Sequence, residues 1–247
     1  MSKTKTVIFS HGDKGGVGKS LVCSTLVDLL IEDGVRVALV DGDTDNADVA
    51  QRFEGSGIPI AKIRLSDFSE YETAVNRMLN FAQEAIEQHG TDVIVVNLPA
   101  GASATVDRDP LVIRDALGGI NAKLRVILSL GNSSMSLQSL SDIKNEGLGT
   151  VGPCLALAPK HFKDDALLER LQEAGFPHTS EFPRLEPDSM RLVLENPEML
   201  LKDMTDTRVN KSPILRIRID RFRKAAREIF RPIAGEYLKE QEKKNDA

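Results

Sequence analysis

The sequence predicts an α/β fold, a doubly wound and mostly parallel sheet with helices on both faces. Two observations carry that prediction. Short apolar runs rich in β-branched residues alternate with longer amphipathic stretches, which implies βαβ crossovers. The runs are continuously apolar, as strands buried on both faces must be. They fall at residues 7–9, 35–40, 93–96, 124–130 and 151–158, with weaker ones at 60–63 and 178–182. Helical patterns span 20–32, 70–88, 106–117, 135–145, 164–173 and 212–239. Gly34, Gly90 and Gly175 stand where helices should stop. No long linker divides the 247 residues, so one domain is expected over 1–247, with about 240–247 a flexible tail.

Composition excludes several classes. Aromatic residues are 4% of the chain and Trp is absent, which argues against base-stacking platforms. Cys23 and Cys154, the two cysteines, sit inside apolar runs, so a disulfide framework, a zinc site or a cysteine-ligated cluster is not expected. His11, His89, His161 and His178 have no metal-like or catalytic spacing and read as structural or surface residues. No apolar stretch approaches 18 residues and residues 1–5 are polar, which points to a soluble, cytoplasmic chain. A net charge of −5 opposes nucleic-acid binding only if charge is evenly spread.

In a doubly wound sheet, ligands bind beyond the carboxyl ends of the strands. After the first strand comes His11-Gly-Asp13-Lys14-Gly15-Gly16-Val17-Gly18-Lys19-Ser20, then an apolar helix. The glycines let successive N–H groups converge on one concavity at a helix N-terminus, a ready anion site. Lys19 can reach β- and γ-phosphates, and the Ser20 hydroxyl can ligate Mg²⁺. An ordinary glycine-rich turn would need neither the flanking strand and helix nor the Lys-Ser pair. The second strand runs into Asp41-Gly-Asp43-Thr-Asp45-Asn46-Ala-Asp48, four carboxylates within eight residues. That segment lacks the spacing and terminal Glu of an EF-hand, leaving a nucleotide-site role or a solvated acidic turn. Residues 93–96 lead into Asn97-Leu98-Pro99-Ala100-Gly101.

Asp13 occupies the first glycine position of the strict phosphate-loop pattern, and what remains, Lys14-Gly-Gly-Val-Gly-Lys-Ser, resembles the deviant Walker A motif of the ParA/MinD family of ATPases. The resemblance implies a P-loop NTPase fold, ATP and Mg²⁺ as cofactors, and ATP-dependent homodimerisation. It implies that Asp13 to Ser20 (Asp13, Lys14, Gly15, Gly16, Val17, Gly18, Lys19 and Ser20) hold the nucleotide, and that Lys14 reaches the partner subunit's nucleotide phosphates. A solvated loop lysine is the alternative for Lys14. The Asp41-Gly-Asp43 segment is similar to the family's first switch, which gives Asp43 the orientation of the attacking water, beside Lys14 and Lys19 as catalytic groups, and places Asp41 near Mg²⁺ or its waters. Asn97 stands where the family's Walker B segment has Asp. Ser20, Asp41, Asp43 and Asn97 are therefore the expected metal set. Because an amide adds no charge, either Asp41 or Asp43 carries the metal's water shell, or Mg²⁺ affinity and turnover are lowered. Gly101 is placed as a γ-phosphate sensor, and Pro159 and Pro183 as base contacts.

The segment from Lys211 to Arg231 carries eight basic residues and two acidic ones, a local +6. Leu215, Ile219, Phe222, Ala226, Ile229 and Ile233 recur at helical spacing, which predicts a helix with its arginines on the opposite, open face. Arg216, Arg218, Arg221, Arg223, Lys224 and Arg227 are thus expected to bind DNA phosphates without reading sequence; a solvated charged helix is the alternative. This arrangement resembles the partition ATPases, implying nonspecific DNA, a nucleoid association and a ParB-like or other adaptor as partners. Two further readings are a protein-interaction ATPase of a conjugation, mobilisation or secretion system and, given the polar residues 236–247, a less favoured MinD-like membrane-associated ATPase. A metabolic or cluster-carrying relative of the same fold lacks its paired cysteines here.

Overall fold

Strands that are apolar along their whole length must be covered on both faces, and the flanking helices supply that cover. The computed structural model describes residues 4–12 and 14–240, so Asp13 and the expected tail beyond residue 240 lie outside the described residues. Among the described residues, seven strands form one parallel sheet: β1 (Lys5–His11), β2 (Val37–Asp41), β3 (Ile60–Lys62), β4 (Val93–Asn97), β5 (Ala122–Ser129), β6 (Cys154–Pro159) and β7 (Thr179–Phe182). Their order is β3-β2-β4-β1-β5-β6-β7. Period-two alternation sends Val7 and Phe9 of β1 into one core and Ile8 into the other.

One core is closed by α3 (Tyr71–His89), α4 (Ser103–Val106), α5 (Pro110–Gly119), α6 (Ser134–Asn145) and α7 (Ala166–Glu173). The other is closed by α1 (Lys19–Glu32), α2 (Asp48–Phe53), α8 (Pro187–Glu195), α9 (Pro213–Ile229) and α10 (Arg231–Ala234). The predicted helix over 106–117 is two helices. Asp109 caps α5 by accepting the Val112 N–H at 3.3 Å, and Pro110 fills its first turn. The predicted helix over 212–239 breaks after Ile229, because Pro232 has no N–H to continue the ladder. Neither α2 nor α8 is foreseen; α2 has only six residues, too few for a period to register.

The C-terminal helix requires a correction. Ile219, Phe222 and Ala226 of α9 and Ile233 of α10 are buried as predicted. Arg223 and Arg227, expected on the open basic face, are instead 4% and 3% exposed. Both flank the apolar seam that packs on α1, where Asp28 and Glu32 lie one turn apart and Asp33 ends the helix. Arg223 Nε donates to Asp28 at 2.8 Å and its guanidinium lies 3.0 Å from Glu32. Arg227 donates to Glu32 at 2.5 Å and also to Asp33. Burial pushes the Asp28 carboxyl above its usual range, opposed by the guanidinium of Arg223 and the Lys202 N–H. These cations fasten one helix to another. Arg216 is half-buried and donates to the Asn210 carbonyl at 2.6 Å. Arg218, Arg221 and Lys224 remain exposed, and Lys224 is bridged to Asp220 at 2.7 Å.

Candidate functional site: a phosphate-binding cleft

The carboxyl ends of β1, β2 and β4 lie side by side, so three chain-distant segments meet at one edge. The loop after β1 has Gly16 at φ +73° and Gly18 at φ +91°, left-handed conformations that β-carbons disfavour. Val17, 2% exposed, anchors the loop inward. The Lys19 ammonium donates to the Lys14 carbonyl at 2.7 Å, curling the loop over the start of α1. His11 fixes the loop's entrance. Its Nδ1 accepts the Gly12 N–H at 2.8 Å, which leaves the proton on Nε2, 2.8 Å from Asp107. Asp107 also accepts the Leu148 N–H at 2.8 Å.

A cleft of about 470 Å³ opens beside this loop. Of the predicted residues, Gly15, Gly16, Val17, Gly18, Lys19, Ser20, Asp43, Pro159 and Pro183 line it. Phe182, Leu185 and Met190 join the two prolines in its apolar lining, with Arg184 and with His161, which lies close to Gly18 of the loop. A glycine loop with a lysine, together with an apolar lining, suits a nucleotide's phosphates and base.

Four predicted residues stand outside the cleft lining. Lys14 lines a neighbouring groove of about 450 Å³ with Ser103, Asp107 and Asp142. Gly101, at φ +75°, is exposed on the loop after β4. Asp41 and Asn97 are buried behind the cleft, opposite each other on adjacent strands. The Asp41 carboxylate accepts from Asn97 Nδ2 at 2.9 Å, the Ala50 N–H at 2.8 Å and the Asp43 N–H at 3.3 Å. Burial raises its pKa despite these donors. Gly42 passes so close to the Asn97 carbonyl, donating to it at 2.8 Å, that a β-carbon would come within 2.7 Å of the oxygen.

Asp48, Asn46, His161 and Arg184 line the cleft without having been predicted. Asp48 is the informative omission. Its side chain is exposed at the cleft beside Ser20, and partial desolvation there raises its pKa, opposed by the Ser20 side chain and the Val49 N–H. The available signal was its place at the end of the acidic segment after β2, seven residues past Asp41. Among the described residues no three His, Cys, Asp or Glu form a ready-made metal cage. Mg²⁺ needs none, because it takes one or two oxygen side chains with phosphates and waters. The Ser20 hydroxyl and the Asp43 and Asp48 carboxylates, all on the cleft lining, are hard oxygen donors of that kind, so the residues present fit the ion.

A parallel sheet whose central strand feeds a glycine-rich loop and a Lys-Ser helix start defines a P-loop nucleotide-binding protein. Residues 8–234 match the CobQ/CobB/MinD/ParA nucleotide binding domain, and the chain belongs to that family. MinD of Pyrococcus horikoshii in complex with Mg-ADP superposes with a TM-score of 0.59 at 18% identity, covering 96% of this chain and 100% of that one. The ATP complex of Cyanothece McdA gives 0.56 at 12% identity, covering 98% and 99%. At such identities the likeness is one of fold. Protein MobD of Acidithiobacillus ferrooxidans is 28% identical over 138 residues, covering 56% of this chain and 57% of that relative, so the match spans little more than half of either. No helix among the described residues is long and apolar enough to cross a membrane.

Proposed function

We propose that this chain is a slow, ATP-driven dimerising switch of the ParA type, which holds DNA nonspecifically while ATP is bound and releases it when an adaptor stimulates hydrolysis. One observation carries the reading. Lys19 and Lys14 belong to the same loop, yet Lys19 lines the phosphate cleft and Lys14 lines the adjacent groove. A lysine placed beyond its own cleft is available to a second subunit, where its ammonium offsets phosphate charge only after dimerisation.

Within one subunit, the N–H groups of Gly15 to Ser20 and the Lys19 ammonium hold the phosphates, which requires Lys19 to leave the Lys14 carbonyl. Bound Mg²⁺ neutralises phosphate charge. Asp43, on the cleft wall, orients the attacking water. Asp41 and Asn97 support that wall from behind, and Gly101 provides a backbone pivot that follows the γ-phosphate. Arg218, Arg221 and Lys224, with half-buried Arg216, form the DNA face.

The test is DNA retention with ATP, with ADP and with no nucleotide, followed by charge reversal at Arg218 and Arg221. Retention only with ATP, lost on reversal with ATPase unchanged, is expected; equal retention in all three states overturns the switch. Burial of Arg223 and Arg227 favours a second reading, a protein-interaction ATPase of a conjugation, mobilisation or secretion system. Nucleotide-dependent dimers with no DNA affinity would select it.

A further inference from the structure

We infer that Asp48 supplies the negative charge of the Mg²⁺ shell, the part that Asn97 at the end of β4 does not play. The inference rests on the ATP–Mg²⁺ reading of the cleft and specifies its metal corner.

Charge decides which residue holds the ion. Ser20 is neutral, and so is Asn97. Asp41 is 0% exposed, outside the cleft lining, and already accepts three N–H donors. Asp43 lines the cleft, with one carboxylate oxygen accepting the Asn46 N–H at 3.2 Å in its own turn. Asp48 lines the same cleft as Ser20, whose hydroxyl is the phosphate loop's Mg²⁺-ligating group, and the two side chains lie beside each other. A cation that takes a lone pair of the Ser20 oxygen leaves the O–H free to donate and finds the Asp48 carboxylate beside it.

An independent observation explains why the charge is not at residue 97. Asn97 is 1% exposed and opposes Asp41 across two hydrogen-bonded strands. A second carboxylate there would set two acids together in a buried position, and one would stay protonated. The amide removes that conflict by donating to Asp41, but gives up the charge. Its Oδ1 is left buried behind the cleft without a protein donor, a neutral acceptor that brings no charge to the metal corner. The anion then comes from α2, one residue beyond the loop that follows β2.

Mn²⁺ binding followed by electron paramagnetic resonance, in the presence of ADP, tests this without reference to turnover. Fluorescent ADP binding in EDTA measures nucleotide affinity without metal. Asp48→Asn keeps the shape and removes the charge. It should weaken Mn²⁺ by about 10–100-fold while leaving ADP affinity in EDTA unchanged. Asp45→Asn, at an exposed residue paired with Arg64, should match the wild type. Asp48→Cys should turn the metal preference from Mg²⁺ toward Cd²⁺, which a merely structural role would not do. Unchanged Mn²⁺ affinity in Asp48→Asn, or loss in Asp48→Cys without a gain for Cd²⁺, overturns the inference and leaves the nucleotide reading standing. Wild-type protein that binds no fluorescent ADP in either condition overturns both.

Discussion

At residue 97 an amide replaces a carboxylate, and its neighbour makes the replacement physically coherent. Asn97→Asp would place a second acid against Asp41, where burial already raises the carboxyl pKa. Well below pH 4 both acids are protonated, folded or unfolded, and the variant should approach the wild type in stability. As pH rises, the unfolded chain ionises freely while the folded pair resists, so stability is lost through the raised pKa. Urea denaturation at about pH 3 and at pH 7 checks this; equal losses at both would reject the mutual repulsion of the two acids. His11 invites a second substitution. His11→Phe keeps the ring but strands the Gly12 N–H and removes the Asp107 contact, at an expected cost of about 1–3 kcal/mol in the same assay. Residue chemistry was legible in the sequence where a motif fixes it, as in Gly16, Gly18, Lys19 and Ser20. Asp48 was not, because its role comes from a turn that returns the chain to Ser20, and no local spacing encodes that return.

At the scale of elements, α9 illustrates what periodicity does and does not settle. Its apolar seam was readable, since Ile219, Phe222 and Ala226 share one face. The surroundings of Arg223 and Arg227 were not. Flanking positions on a helix face solvent or a neighbour according to what packs beside them, and α1 happens to present Asp28, Glu32 and Asp33 there. Removing one member of such a buried pair leaves the other uncompensated. Arg223→Ala should cost about 3–5 kcal/mol, and Arg223→Met combined with Asp28→Leu should recover most of it. Arg218→Ala, on the exposed side, should stay within about 0.5 kcal/mol. Thermal and denaturant unfolding of these variants decides the matter, and an Arg223→Ala protein as stable as the wild type would show that α9 docks by its apolar seam alone. The two unforeseen breaks, at Asp109-Pro110 and before Pro232, are local chemistry that a long periodic window averages away.

Over the whole molecule, strand order does the assembling. The sequence foretold a parallel, doubly wound sheet, and the order β3-β2-β4-β1-β5-β6-β7 places the ends of β1, β2 and β4 together at one edge. That juxtaposition makes a glycine loop, an acidic turn and Asn97 into one site, and only topology could supply it. Charge behaves in the same way. Part of the +6 of residues 211–231 is offset by the carboxylates at the end of α1, which pair Arg223 and Arg227, so three exposed cations, Arg218, Arg221 and Lys224, remain on α9 of each chain. A dimer holding DNA by those six should give a slope of about −5 in log affinity against log salt. A slope near zero would assign the face to a protein partner. The central claim, a switch that closes on ATP, is tested most directly by sedimentation of the wild type and of Lys14→Ala with Mg²⁺ and ATP, ADP or no nucleotide. The expected result is a dimer formed by the wild type with ATP alone and weakened in Lys14→Ala; one unchanging mass in every condition would contradict it.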